Sequence, residues 1–537
     1  MEQADIDIAM RQAQALVQAG HAVQAEAIYR HIITTAPRFH PAYQELGLLA
    51  FKAGNLQMAA DLFQAAIEID SRIALYFRNL GEISRRLGRF EAAIKAGRVA
   101  CQLATRDIDA HFNLGLACAD AKMSAAAAEA FRTVLALQDE MAQAGQLSAP
   151  MWSMRGNVLQ KLEKFDEARV CYEHALELQP DYPAVQNALG SLLKTQGLVQ
   201  EAAECFIKAL QADPRFAEAR LNLGMAQLYL GDWQAGWENY EARWTGSSEH
   251  NNGTFVRPDC PLPQWQGQGE SGEQGLLIFA EQGFGDTFQF CRYLELAAQR
   301  FARVGFVCPW PGMIALMERS FADLVVVLRH MPTDFADWQW HCPLMSLPRA
   351  FQTRPDTVPV HIPYLKVPTP ARRYWRDRLV RHSVGQFRIG LAWAGRRSHQ
   401  ADARRSIRFE QLLPLMNNER FTWVSLQKQE GRDGVIAVPG HVHWIDWSNE
   451  LLDFSDTAAL TANLDLIISI DSAMVHLAGA LGRPVWMLNR FDSEWRWMAH
   501  RPDSPWYPDL RIFTQSRLGD WASVIQDVQR DLGAFSV

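Results

Sequence analysis

A period of 34 residues runs through the amino-terminal part of this chain, from its start to about residue 244. Aligning its small and aromatic positions gives units beginning near Ile6, His40, Ala74, Ile108, Ala149, Pro183 and Ala217. The second unit carries Tyr43, Leu46, Gly47, Gly54, Ala59, Phe63 and Ala66. The sixth repeats that pattern as Leu189, Gly190, Gly197, Ala202, Phe206, Ala209 and Pro214. A unit of this length reads as one helix pair, which cannot bury its apolar face alone. Neighbouring pairs are therefore expected to stack into an α-solenoid with a concave groove. Gly47 and Ala59 permit close helix crossing, and residues of the Phe63 type fill the space between units. Residues 142–148 are an insertion between the fourth and fifth units. The seventh unit departs from the pattern, since Trp233, Trp237, Tyr240 and Trp244 give its last helix a broad aromatic face. A terminal helix facing water needs one polar side, so this one is expected to dock against the next domain.

Beyond the repeats the chain changes character twice. Residues 245–273 hold Pro258, Pro261 and Pro263 and then a glycine-rich run, which reads as a linker. Strands then alternate with helices, predicting parallel α/β domains. Strands are expected at Gly275–Ala280, Val304–Cys308 and Leu324–Leu328, with helices over Asp286–Ala302 and Gly312–Ser320. A second block has strands at Arg388–Trp393, Phe421–Leu426, Leu466–Ile470 and Val485–Leu488, and a closing helix near Asp520–Leu532. At 537 residues the chain is too long for one core. The division expected is 1–244 repeats, 245–273 linker, 274–370 a first Rossmann-like lobe and 371–537 a second.

Composition excludes several partners. A net charge of −7 gives no case for a nucleic-acid surface. No apolar run approaches the roughly 20 residues of a membrane helix, and the first residues have no signal-peptide pattern. Eight scattered cysteines without a C-x-x-C pair suit buried thiols in a reducing compartment, so a cytoplasmic location is expected.

Four polar stretches lie just past the predicted strands, where open α/β sheets bind ligands. The first is Glu281-Gln282-Gly283-Phe284-Gly285-Asp286, whose glycines let the backbone turn sharply; Asp286 also suits a plain helix cap. The second is Trp393-Ala394-Gly395-Arg396-Arg397-Ser398-His399 with Asp402, Arg404, Arg405 and Ser406 beyond it, a composition that suits phosphate anions or a solvated basic loop. The third is Gln427-Lys428. In the fourth, an apolar run breaks at Asp471-Ser472-Ala473 and a helix carrying His476 begins, so free amides at that helix start suit a phosphate or diphosphate. No P-loop, G-x-S-x-G elbow or H-E-x-x-H motif is present.

The repeats resemble the tetratricopeptide repeat. From about 275 to 535 the chain resembles the heptosyltransferase-like, family 9-like branch of GT-B glycosyltransferases, in the form fused behind such repeats. That resemblance rests on Gln282-Gly283-x-Gly285-Asp286 with Gln289 and Arg292-Tyr293, on Trp393-Ala394-Gly395, and on Asp456-Thr457-Ala458 with Asp465. It continues through Asp471-Ser472-Ala473 to Gly482, Trp495-Arg496-Trp497 and Ser504-Pro505-Trp506-Tyr507-Pro508. Repeats ahead of such lobes are similar to protein O-glycosyltransferases. The resemblance implies inverting, metal-independent transfer from a nucleotide-sugar co-substrate, with no other cofactor. It makes Asp286 the general base and Gln282 and Gly285 the shapers of its loop. Trp393, Arg396, His399, Gln427 and Lys428 would line the donor side, Asp471 would hold sugar hydroxyls, and Ser472 and Ala473 amides would meet phosphate with His476 behind them. Arg396-Arg397 stands where relatives often carry Asn, which implies a more anionic donor or an altered grip. The acceptor implied is a polypeptide Ser or Thr captured by the repeats, and oligomers are compatible with it. A glycan- or lipid-linked acceptor, or a non-catalytic adaptor with decayed lobes, are the alternatives.

Overall fold

The computed structural model describes residues 3–247, 257–269, 272–383, 387–397, 401–428 and 438–534. Two compact units result, Met1–Leu192 and Leu193–Val537.

The first unit is built of antiparallel helix pairs: Gln3–Gln18 with Ala22–Thr35, His40–Lys52 with Leu56–Ile69, Ala74–Arg86 with Phe90–Leu103, Ile108–Asp120 with Ser124–Gln143, and Ala149–Lys161 with Phe165–Leu178. In the second, fourth and fifth pairs a glycine on the first helix faces a ring sixteen residues on, while the first pair has Ala13 in the glycine's place before Tyr29. A methyl added at Gly47 would lie 2.9 Å from the Phe63 ring, at Gly115 2.4 Å from Phe131, and at Gly156 2.5 Å from Tyr172. The large ring thus fills the notch of its own pair, and does not only bridge to the next unit. In the third pair Gly97 takes the ring's place, and the backbones close up on Gly81 instead. The insertion at 142–148 is mostly absorbed by the helix Ser124–Gln143, which has 20 residues where the other second helices of unit one from the second pair onward have 14.

The second unit begins within the helix Pro183–Thr195 and continues through Val199–Ala212, Ala217–Leu230 and Trp233–Tyr240 into two sheets. The first sheet contains β1 (Gly275–Phe279), β2 (Arg303–Val307), β3 (Val326–Leu328) and β4 (Trp340–Pro343), all parallel in the order β3-β2-β1-β4. The second contains β5 (Phe387–Ala392), β6 (Phe421–Ser425), β7 (His443–Ile445), β8 (Leu466–Ile470), β9 (Val485–Asn489) and β10 (Leu510–Thr514), again all parallel in the order β10-β9-β8-β5-β6-β7. β1, β6, β8 and β9 are buried along their whole length, as strands covered on both faces must be. Three strands were not expected from sequence: β4, β7 and β10. The expected helix over Asp286–Ala302 is two, Phe284–Phe290 and Tyr293–Arg300, separated where the Arg292 side chain donates to the Gln289 carbonyl at 2.8 Å.

The last repeat docks as its aromatic face predicts. Trp233 stacks on Trp506 at 5.1 Å, Trp237 meets Phe290 at 6.4 Å and Trp495 at 5.3 Å, and Trp244 meets Phe279 at 6.2 Å. Within the expected linker, residues 257–269 lie along the free edge of β4, where the Trp265 N–H donates to the His341 carbonyl at 2.8 Å and the Trp265 ring is buried between Phe301 and Phe351. Because the Gly156 notch is filled by a ring wedged between backbones, Gly156→Ala is expected to destabilise the first unit by about 1–3 kcal/mol, read as a lower denaturation midpoint in urea.

Candidate functional site

In both sheets the chain runs outward on one side of a founding strand and then returns to its other side. The crevice between the carboxyl ends of such neighbours is where parallel sheets bind ligands. In the first sheet that reversal lies between β1 and β4, and in the second between β5 and β8. Glu281–Asp286 follows β1 and Ser346 follows β4; Trp393–Arg397 follows β5 and Asp471-Ser472 follows β8. Three of the predicted polar stretches thus lie at a reversal point, and the remaining one, Gln427-Lys428, follows the adjacent β6.

The two edges meet. A methyl on Gly285 would lie 3.0 Å from the His476 ring and 3.5 Å from the Ala473 Cα, so the turn after β1 rests on the helix Ala473–Ala480 that follows β8. Asp286 spans the same junction. Its Oδ2 accepts from the Gly283 N–H at 2.9 Å, and its Oδ1 accepts from Arg496 Nη2 of the loop after β9. Arg496 also donates to Gln289 Oε1 at 3.0 Å and to Glu494 Oε2 at 2.7 Å. Burial opposes its charge, but the carboxylates of Asp286 and Glu494 hold the guanidinium above its ordinary range. Asp286 therefore caps its turn and is also poised beside a buried cation.

The remaining predicted residues divide by role. Ser472 caps its helix, accepting from the Met474 N–H at 3.3 Å, and Ala473 opens the first turn. Half-buried Asp471 has its carboxyl pushed upward by burial and then by Glu494, against Arg490 and Arg405. Arg405 Nη1 donates to the Asp471 carbonyl at 3.3 Å, which joins the loop after β5 to that after β8. Arg396 is exposed on the first of these loops. Gln427 and Trp393 build the loop: Gln427 Oε1 accepts from the Trp393 and Ala394 N–H groups at 3.0 and 2.9 Å, and the buried Trp393 ring packs on Phe409 at 4.8 Å. Lys428 Nζ donates to the carbonyls of Ser448, at 2.9 Å, and Leu451. Gln282 has φ 60° and donates from Nε2 to the Tyr240 hydroxyl at 3.2 Å. His399 lies outside the described residues. Sequence reasoning gave no role to Arg496, Glu494 or Arg490; their signal was position, since they follow β9 as the other candidates follow their strands. Among the described residues, no three His, Cys, Asp or Glu side chains gather as a metal ligand set, and no helix is long and apolar enough to cross a membrane.

Comparison with known proteins identifies the amino-terminal part as tetratricopeptide repeats: repeat models match residues 149–182 and, in three overlapping or separate blocks, 10–72, 45–108 and 188–242. The whole chain is similar to Protein FlbA of Caulobacter vibrioides, 25% identical over 562 residues that cover 99% of this chain and 91% of that one. It is also similar to Protein O-mannosyl-transferase TMTC3 of Homo sapiens, 24% identical over 177 residues that cover 32% of this chain and 19% of that one. The peroxisomal targeting signal receptor of Candida albicans is 27% identical over 35% of this chain, which spans 38% of that receptor. A solved tetratricopeptide repeat protein from Parabacteroides merdae matches 46% of this chain and 96% of its own at 15% identity, with a TM-score of 0.37.

His476 gives the site a measurable pH response. Burial, followed by Arg496 and Arg292, pushes its imidazole well below the ordinary range, with Glu494 acting in the opposite sense. Its Nδ1 lies 3.0 Å from the Tyr507 hydroxyl, and the ring stacks on Trp497 at 5.3 Å. Above about pH 6.5 the ring is neutral folded and unfolded; below it only the unfolded chain takes up the proton, so stability falls with falling pH. The expected loss attributable to this ring is about 1.4 kcal/mol per pH unit below that point, absent in His476→Gln, as read from denaturation midpoints between pH 7.5 and 5.

Proposed function

We propose that the two sheets form a GT-B glycosyltransferase that moves a sugar from a nucleotide-sugar to a Ser or Thr hydroxyl of a polypeptide captured by the repeats. The observation that carries this reading is the meeting of two reversal-point edges, with a carboxylate on one and a helix start with basic loops on the other. Such a junction suits two substrates approaching from opposite sheets. The similarity to FlbA over nearly the full length of both chains supports the array and the sheets acting as one protein. The acceptor class rests on the repeats and, more thinly, on the name of the O-mannosyl-transferase, of which the matching stretch is 19%.

In this reading Asp286 takes the proton of the acceptor hydroxyl as its oxygen attacks the anomeric carbon. The carbon–oxygen bond to the nucleoside diphosphate breaks on the opposite face, which inverts the centre. Charge on the leaving diphosphate is met by the first-turn amides of Ala473–Ala480 and by Arg396, Arg405 and Lys428. Arg496 holds the Asp286 carboxylate in place and orients it toward the acceptor. Asp471, held beside Arg405, is placed for sugar hydroxyls.

A second reading is a repeat adaptor whose sheets do no chemistry. It is favoured by one observation: Asp286 and Lys428 are already engaged by groups of the chain itself. Release of nucleoside diphosphate from a panel of nucleotide-sugars separates the two. Asp286→Asn, whose amide oxygen can still accept from Arg496, is expected to lower turnover by about 10²–10⁴-fold in protein that circular dichroism shows to be folded. Turnover equal to wild type in that variant would refute the base, and no turnover by wild type would favour the adaptor. A chain lacking residues 1–192 is expected to keep donor hydrolysis and lose modification of a protein acceptor.

A further inference from the structure

We infer that Tyr240 and Arg243, at the end of the repeat array, are positioning residues for Asp286, acting through Glu281 and Gln282. This rests on the reading of Asp286 as the base, and extends it by assigning part of the site to the repeats.

Gln282 holds a backbone conformation that non-glycine residues seldom adopt, with φ 60°. Such a residue persists only where its surroundings over-determine it. Those surroundings come largely from the seventh repeat. The Tyr240 hydroxyl oxygen accepts from Gln282 Nε2 at 3.2 Å. One residue earlier, both oxygens of the buried Glu281 carboxylate are taken by Arg243, Nε to Oε2 at 2.8 Å and Nη2 to Oε1 at 2.9 Å. Arg243 is itself fixed by Glu241 and Ser346, each at 2.8 Å. The same helix end reaches the other partner of Asp286, because the Trp495 ring beside Arg496 lies 5.4 Å from Tyr240. One end of the array thus grips the turn that carries the carboxylate and the loop that carries its guanidinium. The seventh repeat is a wall of the site, and removing it would do more than release a captured partner.

The test compares the full-length chain with Tyr240→Phe, Gln282→Ala and the double variant. Tyr240→Phe keeps the ring on Trp495 and removes only the hydroxyl. Amide hydrogen exchange in peptides covering 282–290 is expected to be about fivefold faster in Tyr240→Phe, with β8 and β9 peptides unchanged. The double variant is expected to exchange no faster there than Gln282→Ala alone, since the hydroxyl acts through that side chain. Unchanged exchange in Tyr240→Phe, or effects that add in full, would overturn the assignment. On any UDP-, GDP-, ADP- or dTDP-sugar that wild type hydrolyses, Tyr240→Phe is expected to lower kcat and leave the donor KM unchanged. A raised KM at unchanged kcat would overturn it as well. Failure of wild type to hydrolyse every such sugar would remove the role of Asp286 as base, whereas the exchange comparison would still decide whether Tyr240 holds the turn.

Discussion

The fork of Arg243 against Glu281 is the contact on which the rest of the second unit depends. Taking both charges out of water costs several kcal/mol per ion, and the attraction between them offsets this only where every donor and acceptor is met. Here they are. The two parallel bonds to Glu281 are joined by those to Glu241 and Ser346, the Met345 N–H donates to Glu281 Oε1 at 3.0 Å, and the guanidinium lies 4.8 Å from the Trp244 ring. Such a pair adds little net stability over an apolar replacement, but it tolerates one geometry. That geometry sets the last repeat against the carboxyl end of β1. The large apolar contacts of Trp233, Trp237 and Tyr240 supply the burial, and the ion pair supplies the register.

A second arginine works without any carboxylate. Arg292 is buried and donates to the carbonyls of Gln289, Pro359 and Trp506 and to the Tyr364 hydroxyl, at 2.8, 3.2, 2.8 and 3.0 Å. The planar fork lies against the rings of Tyr364, Trp506 and Tyr507. It thereby joins the helix after β1, the segment that crosses between the sheets and the loop before β10. With Asp286 and Arg496 close by, the two sheet edges are tied at several points by side chains that each have few acceptable positions.

Much of this was legible in the amino-acid sequence, for definable reasons. The helix pairs were, because a fixed period returns small and aromatic residues to the same places along the chain. β1, β8 and β9 were, because fully covered strands read as short apolar runs broken by glycine, serine or aspartate. Asp471, Ser472 and the turn at Gln282–Asp286 followed from those breaks. β7 was not, since His443–Ile445 has three residues and no alternation to find. β4 begins with Trp340 and His341 and ends in Pro343, a poor strand pattern rescued by β1 and by residues 257–269 on its other side. Arg496 was invisible as a partner of Asp286 because 210 residues separate them, and only the folded sheets bring them together. Trp393 and Gln427 lie just past their strands, but the Trp393 ring packs on Phe409 and the Gln427 side chain accepts from backbone amides.

The docked end of the array restricts how this protein can change its length. A solenoid grows when a repeat is duplicated and slips in among copies that are geometrically equivalent. The last helices here have lost that equivalence: Gly231 approaches Met498, Gly197 faces Phe491, and the Ala499 N–H donates to the Tyr229 carbonyl at 2.9 Å. An extra copy inserted after Leu193 would pull those partners out of phase with the sheets. Within the described chain, copies can be gained or lost without that penalty upstream, among the helix pairs of the first unit, while the junction of the last repeat with the sheets is kept.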